Sequence, residues 1–269
     1  MTPMRDRKPT PYQEVLDALL GCGPLKTWSL IVTILGDLAQ AGDGRLPGPV
    51  LSRLTEPLGI RPEALRVAIH RLRRDGWITS ERDGRVSVYR LTAHGRTLTQ
   101  SVAERVYGAT IAQPARWHIL VGPTAEAVQA LDEPGLIQLG ARVALLPGDA
   151  AGLPASILAW DAQAGALPDW ARAAIMPEDL VASYARLCDA LDRALAFSAA
   201  KTEDAMKRAV LRFLALHQWR RLVLRHGAAV EALIGPDWDG ARCRARITTL
   251  LAMLDRPDPA ALSVLPKAL

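Results

Sequence analysis

The chain has 269 residues, nearly half of them apolar, and a formal net charge of +5 at pH 7. This length exceeds one small module and gives room for two or three units with cores of their own, while no apolar run approaches the ~20 residues that span a bilayer, so no membrane association is expected. The amino terminus mixes Arg5, Arg7 and Lys8 with prolines and lacks an export signal, and the scattered cysteines Cys22, Cys188 and Cys243 form no CxxC pair, which together point to a reducing cytoplasm.

Residues 1–25 read as an arm with a short helix. Between Lys26 and Gln40 the spacing of Trp28, Ile31, Leu35 and Leu38 predicts a helix, and Val50, Leu51, Leu54 and Leu58 predict a second, which ends at Gly59. Arg61-Pro62-Glu63 then introduces a third over Ala64 to Asp75, with proline in its first turn and an acid at its positive end. Projected at 100° per residue, Leu65, Ala68, Ile69 and Leu72 form its core stripe. The opposite face carries Glu63, Val67, His70 and Arg74, flanked by Arg66, Arg71 and Arg73, a set able to reach both base edges and phosphates. An isolated basic helix of this kind can equally be a solvated face making surface ion pairs, so its neighbours matter. After it, residues 77–82 and 85–91 alternate like strands around Asp83-Gly84, a tight-hairpin signal, with Arg82 and Arg85 at the tip. Arg61 and Ser87 complete the set expected to face DNA.

The sequence from Trp28 to Leu38, followed by Gly59-Ile60-Arg61-Pro62-Glu63-Ala64-Leu65-Arg66-Val67-Ala68-Ile69-His70-Arg71-Leu72-Arg73-Arg74-Asp75-Gly76-Trp77, resembles the PaaX family of phenylacetate-degradation repressors. The likeness continues through His217-Gln218-Trp219-Arg220-Arg221 and Pro236-Asp237-Trp238-Asp239-Gly240-Ala241-Arg242 and departs from the family pattern at His226 to Glu231. The expected partner is double-stranded operator DNA, held by a homodimer whose two units reach half-sites about 34 Å apart; the resemblance implies, as effector, an acyl-coenzyme A such as phenylacetyl-coenzyme A, and no cofactor or metal is expected.

A helix from Thr92, acting as cap, through Val106 is predicted to lead out of the hairpin and end at Tyr107-Gly108. Strands are expected at Trp117–Val121, within Leu136–Leu146 and at Ser156–Trp160, with a short helix from Thr124 to Leu131. This β-α-β-β order suggests a ferredoxin-like unit, and the resemblance implies one similar to the CRISPR-adaptation nuclease fold. Its first strand runs out through Val121-Gly122-Pro123 without the acid a metal-dependent nuclease needs, and Asp161 reads as a turn former or helix cap.

Beyond Pro177, Leu180, Tyr184, Leu187, Leu191 and Leu195 predict one long helix. A second follows Thr202 and is apolar nearly all round, so His217, Arg220 and Arg221 within it need partners. One reading pairs the arginines with Asp237 or Asp239. The other makes His217, Arg220 and Arg221, with Trp219 and Trp238 as aromatic walls, an effector site for an anionic ligand. The expected fold is therefore α+β: a winged helix-turn-helix with its connector helix over 26–108, a ferredoxin-like unit over 109–175 and a helical effector and dimerisation domain over 176–269. The expected function is an effector-released repressor, the alternatives being a regulator of another catabolic pathway or an acyl-coenzyme A-processing enzyme. The sequence holds no GxSxG, HExxH or GxxxxGK[ST] motif for catalysis or phosphate binding.

Overall fold

The structure, a computed structural model, describes residues 9–42, 44–133, 135–162, 167–199 and 204–264. It is mixed α and β with a helical carboxyl-terminal third. Helix α1 spans Pro11–Leu20, capped by the Thr10 hydroxyl, which accepts from the Gln13 amide. Helices α2 (Thr27–Leu38), α3 (Gly48–Thr55) and α4 (Pro62–Arg74) follow, with a one-turn 3₁₀ segment at Glu56–Leu58. Gly59, at φ 72°, takes the left-handed conformation that lets the chain turn from α3 into α4 without a Cβ clash. Leu65, Ala68 and Leu72 are buried, as their spacing requires, and Ile69 packs half-buried beside them.

Strands β1 (Leu46–Pro47), β2 (Ile78–Asp83) and β3 (Val86–Leu91) form an antiparallel sheet in the order β1-β3-β2. The register pairs Asp83 with Val86, so the two-residue turn is Gly84-Arg85, one position later than the Asp83-Gly84 turn expected. Gly84, at φ 59°, provides the positive φ that such a turn demands at its first position. The expected helix after Thr92 is two helices, α5 (Ala93–Gln100) and α6 (Ala103–Tyr107). Thr92 caps α5 through the Gly95 amide, but the Thr99 hydroxyl donates back to Gly95 and Arg96 carbonyls, a competition that ends helices. Gly95 has no room for a side chain, since a Cβ there would lie 2.2 Å from the Trp77 carbonyl oxygen.

The middle of the chain forms β4 (Trp117–Val121), α7 (Ala125–Gln129), β5 (Ile137–Gly140), β6 (Val143–Pro147) and β7 (Leu158–Ala162), in the antiparallel order β5-β6-β4-β7. The single strand expected within 136–146 is thus a hairpin of two. The last strand begins two residues late because the Ile157 amide closes a turn on the Pro154 carbonyl; Ile157 itself is buried with Leu120, Val128, Ala144 and Leu146 in a small separate core. Asp161 lies within β7, where its carboxylate sits 3.0 Å from His118 Nε2, so it is neither a turn former nor a cap.

Helices α8 (Asp169–Ile175), α9 (Glu178–Ala199), α10 (Ala205–Val223), α11 (Ala228–Ile234), α12 (Asp239–Met253) and α13 (Pro259–Val264) complete the chain. Thr202 lies outside the described residues; α10 is capped by Asp204, whose carboxylate accepts from the Met206 and Lys207 amides. Helix α10 is buried from Ala209 to Trp219, with α1, α2, α9 and α12 around it. Each large apolar side chain so enclosed contributes about 1.5–3 kcal/mol. The arm therefore belongs with the carboxyl-terminal helices: Val15, Leu16 and Leu19 of α1 lie in the same continuous core as α9, α10 and α2.

Candidate nucleic-acid interface and effector cleft

The outward face of α4 is open. Val67 is 69% exposed, and Arg61, Glu63, Arg66, His70, Arg71, Arg73 and Arg74 surround it at the surface. Residues 61–90 hold eight arginines against four acids, which concentrates most of the chain's net positive charge there. Several of these cations are restrained. Arg66 reaches Glu63 at 2.7 Å, and Arg71 leans to Asp75 at 3.4 Å and lies over the Trp28 ring at 5.6 Å. Arg74 also meets Asp75. All three pairs are well exposed, so each is worth under about 1 kcal/mol and exchanges readily for a phosphate.

Arg61, Arg73, Arg82 and Arg85 meet no acid among the described residues. Arg85 stands in the hairpin turn itself and Arg82 pairs with half-buried Ser87 across the ladder. The hairpin is held toward its tip by Arg45, which reaches Glu81 at 2.5 Å and Asp83 at 3.9 Å from the loop before β1. Sequence reasoning passed over Arg45; its role is visible only once β1 is seen to flank β3.

The expected effector constellation is not one site. His217 and Trp219 are buried, 2% and fully, in the core of α10. Trp219 Nε1 donates to the Val106 carbonyl at 2.9 Å, and the Arg244 guanidinium stacks on its ring at 4.9 Å. His217 Nδ1 lies 3.3 Å from the Thr33 hydroxyl, which itself donates to the Ser29 carbonyl, so the imidazole donates through Nδ1. Its Nε2 has no partner among the described residues. Neither arginine pairs with Asp237 or Asp239. Arg221 donates to the Cys22 carbonyl at 2.7 Å and to the Gln218 side chain, on the α1 side of the helix. Arg220 points the other way, beside Tyr107 and Thr33, along a void of about 20 Å³. Residues at i, i+3 and i+4 share a helix face, but α10 is enclosed on every side, so each neighbour takes a different partner.

Trp238 alone of the five borders a substantial cleft, about 710 Å³, between α8, α9 and the start of α12. Met176, Val181 and Ile234 supply apolar walls, Arg172 and Arg242 the positive charge, and Asp169, Asp237 and Asp239 the negative. Behind Trp238 its ring meets Tyr184 edge-on at 4.8 Å, and the Tyr184 hydroxyl donates to His226 Nε2 at 2.5 Å while His226 Nδ1 donates to the Gly227 carbonyl. Burial holds His226 below its ordinary pKa and pushes the Tyr184 phenol up. Among the described residues no three His, Cys, Asp or Glu side chains gather as metal ligands, and no helix is long and apolar enough to cross a membrane.

Two buried ion pairs, one of them through carbonyls beside α6, anchor α2 and α6 among these helices. Asp37 on α2 receives Arg212 of α10 at 2.7 and 3.0 Å, with Tyr107 and Arg256 alongside. Glu231 of α11 receives Arg244 of α12, which also donates to the Arg105 and Gly108 carbonyls flanking α6. The short helix α6 is thereby fastened at Arg105, Val106, Tyr107 and Gly108 to the carboxyl-terminal helices.

The model of the PaaX-like protein family matches residues 26–95, and that of the PaaX-like protein C-terminal domain matches residues 177–261. The chain belongs to the PaaX family. The two matched stretches hold the exposed α4 face with its hairpin and the helices that line the cleft. The transcriptional repressor PaaX of Escherichia coli (strain K12) is 34% identical over 101 residues, an alignment covering 36% of this chain and 31% of the relative, so the chain matches about a third of that protein's length. The uncharacterized protein Rv0674 from Mycobacterium tuberculosis is similar in structure at a TM-score of 0.48 and 23% identity, over 90% of this chain and 100% of that one.

Burial and the neighbouring Arg220 and Arg221 charges lower the His217 pKa from its ordinary value to about 4. The unfolded chain binds a proton at this histidine below about pH 6.5 and the folded chain only near pH 4, so folding stability falls as pH drops through that window. The expected loss is on the order of 3 kcal/mol. Urea midpoints measured from pH 7 to 4 should decline more steeply for the wild type than for His217→Gln, and equal slopes would remove the assignment.

Proposed function

We propose that this PaaX-family protein is a cytoplasmic transcriptional repressor, not an enzyme, acting as a homodimer on the operator of an aromatic-acid degradation operon. One observation carries the proposal: the outward face of α4 is uncovered, centred on an exposed Val67 amid arginines, with a hairpin whose tip arginines meet no acid. A branched apolar side chain there matches a thymine methyl, and guanidinium groups match guanine edges and phosphates. The order α2, α3, turn, α4, hairpin supports a winged helix-turn-helix, with α4 as the major-groove helix and β2-β3 as the wing. The strand order β5-β6-β4-β7 supports a ferredoxin-like middle unit in which residues 148–157 replace the second crossover helix.

The effector, on the family likeness an acyl-coenzyme A such as phenylacetyl-coenzyme A, binds in the cleft beside Trp238, where an aryl group meets the indole and anionic oxygens meet Arg172 and Arg242. Ligand bound there acts on DNA only by favouring a state in which the two DNA-facing units no longer match half-sites about 34 Å apart. Fastened α6 is the route for that coupling. The test is a gel shift on the promoter fragment ahead of the chain's own gene, with phenylacetyl-coenzyme A, free coenzyme A and phenylacetate added in turn. The thioester alone should dissociate the complex, remain chemically intact, and lose its effect in Trp238→Ala. No shift of the fragment at low salt would sink the DNA reading; release by free coenzyme A alone, or hydrolysis of the thioester, would sink the effector reading.

A further inference from the structure

Cys188 and Cys243 lie far apart in the sequence, yet α9 and α12 bring their Sγ atoms to 2.8 Å. Two sulfurs that are not bonded ordinarily stay roughly 3.6 Å apart, whereas a disulfide needs about 2.05 Å, so little motion separates this pair from a covalent link. Among the described residues the pair belongs to no metal-ligand cluster; Cys188 Sγ lies 3.2 Å from the Asp239 carbonyl oxygen and Cys243 Sγ 3.3 Å from that of Tyr184. Both are buried, but the shell is thin on one side: Asp239, one helical turn before Cys243, and Arg242, next to it in the chain, line the open cleft. The geometry points to Cys188 and Cys243 as a dithiol that closes to a reversible intramolecular disulfide on exposure to a small peroxide.

The Cys243 thiol sharing its proton with Cys188, together with the Arg246 and Arg242 charges, holds the Cys188 thiol below its ordinary pKa, and burial with the same contact pushes Cys243 up. Cys188, 5% exposed where Cys243 is fully enclosed, is the sulfur a peroxide reaches first and is the attacking thiolate. It displaces hydroxide from the peroxide to give a sulfenic acid; the Cys243 sulfur then attacks that sulfur, and the hydroxyl leaves with the Cys243 proton as water. In sum two thiols lose two electrons and two protons, and one hydrogen peroxide becomes two waters. A reducing compartment keeps such a pair open until an oxidant arrives. Closing it ties α9 to α12 immediately behind the Trp238 wall of the cleft.

This inference stands independently of what the protein binds, because its readout is the thiols. The full chain is treated with hydrogen peroxide, unfolded, alkylated and mapped by mass spectrometry without reduction. The expected result is loss of two of the three alkylatable thiols, a linked Cys188–Cys243 peptide, recovery with dithiothreitol, and continued alkylation of Cys22, whose thiol burial pushes up to about 11. Cys188→Ser and Cys243→Ser should each abolish the linked peptide. Cys243→Ser should in addition leave Cys188 as a trappable sulfenic acid, a signal that shows the variant still folds around a reactive Cys188. Full alkylation of all three cysteines after peroxide, links formed through Cys22, or only irreversible sulfonic acid at Cys188 would each overturn it.

Discussion

Replacing Arg66 and Arg74 by alanine is expected to weaken binding to specific DNA by roughly 10- to 100-fold per residue, about 1–3 kcal/mol each, while leaving stability within about 0.5 kcal/mol of the wild type. Both side chains are well exposed and engaged in surface ion pairs, Arg66 also donating to the Pro62 carbonyl, so removing them is expected to cost a DNA contact and little else. Arg71 is a poorer probe, since its stacking on Trp28 also fastens α4 to α2. Arg82→Ala and Arg85→Ala test a different term. At the hairpin tip these residues are expected to neutralise phosphates, so each loss should lower the slope of log affinity against log salt by about 1 without changing sequence preference. A salt-titrated gel shift distinguishes the two classes. Affinity and slope unchanged in all four variants would reject the interface.

The largest stability effect is expected at Asp37. Its carboxylate is fully buried and holds the Arg212 guanidinium, which is also nearly inaccessible and spends its remaining donors on the Leu251 and Leu254 carbonyls. Asp37→Asn keeps the shape but removes the compensating charge, leaving a cation in the core; the loss should be about 3–5 kcal/mol, seen as a lower urea midpoint. The double variant Asp37→Leu with Arg212→Met removes both charges and should recover much of that loss. If Asp37→Asn alone proves neutral, the pair is not the clamp between α2 and α10 described above. The same single variant should blunt any effector response, because Tyr107 of α6 and Arg256 beyond α12 meet at that carboxylate.

Periodicity, caps and turn residues made α2 to α4 and the hairpin after them legible in the sequence. The Leu65-Ala68-Leu72 stripe fixes which side of α4 is buried, and therefore that Val67, His70 and Arg74 face outward. Thr92 and Thr124 cap the helices they introduce, and Gly59 and Gly84 turn the chain where only a glycine sits without strain. Each of these is decided within a few residues, by sterics and hydrogen bonds that depend on immediate neighbours alone.

Tertiary structure decided the rest. Spacing along α10 put His217, Arg220 and Arg221 together, but α1, α2 and α6 approach that helix from different sides and give each residue its own partner. Arg212 and Arg244, the cations that are buried and paired, gave no local sign of it, since their carboxylates come from α2 and α11. The cleft beside Trp238 and the meeting of Cys188 with Cys243 likewise exist only where α8, α9 and α12 converge. A buried charge or thiol takes whatever the fold brings within about 3 Å, and that depends on chain segments tens to hundreds of residues away.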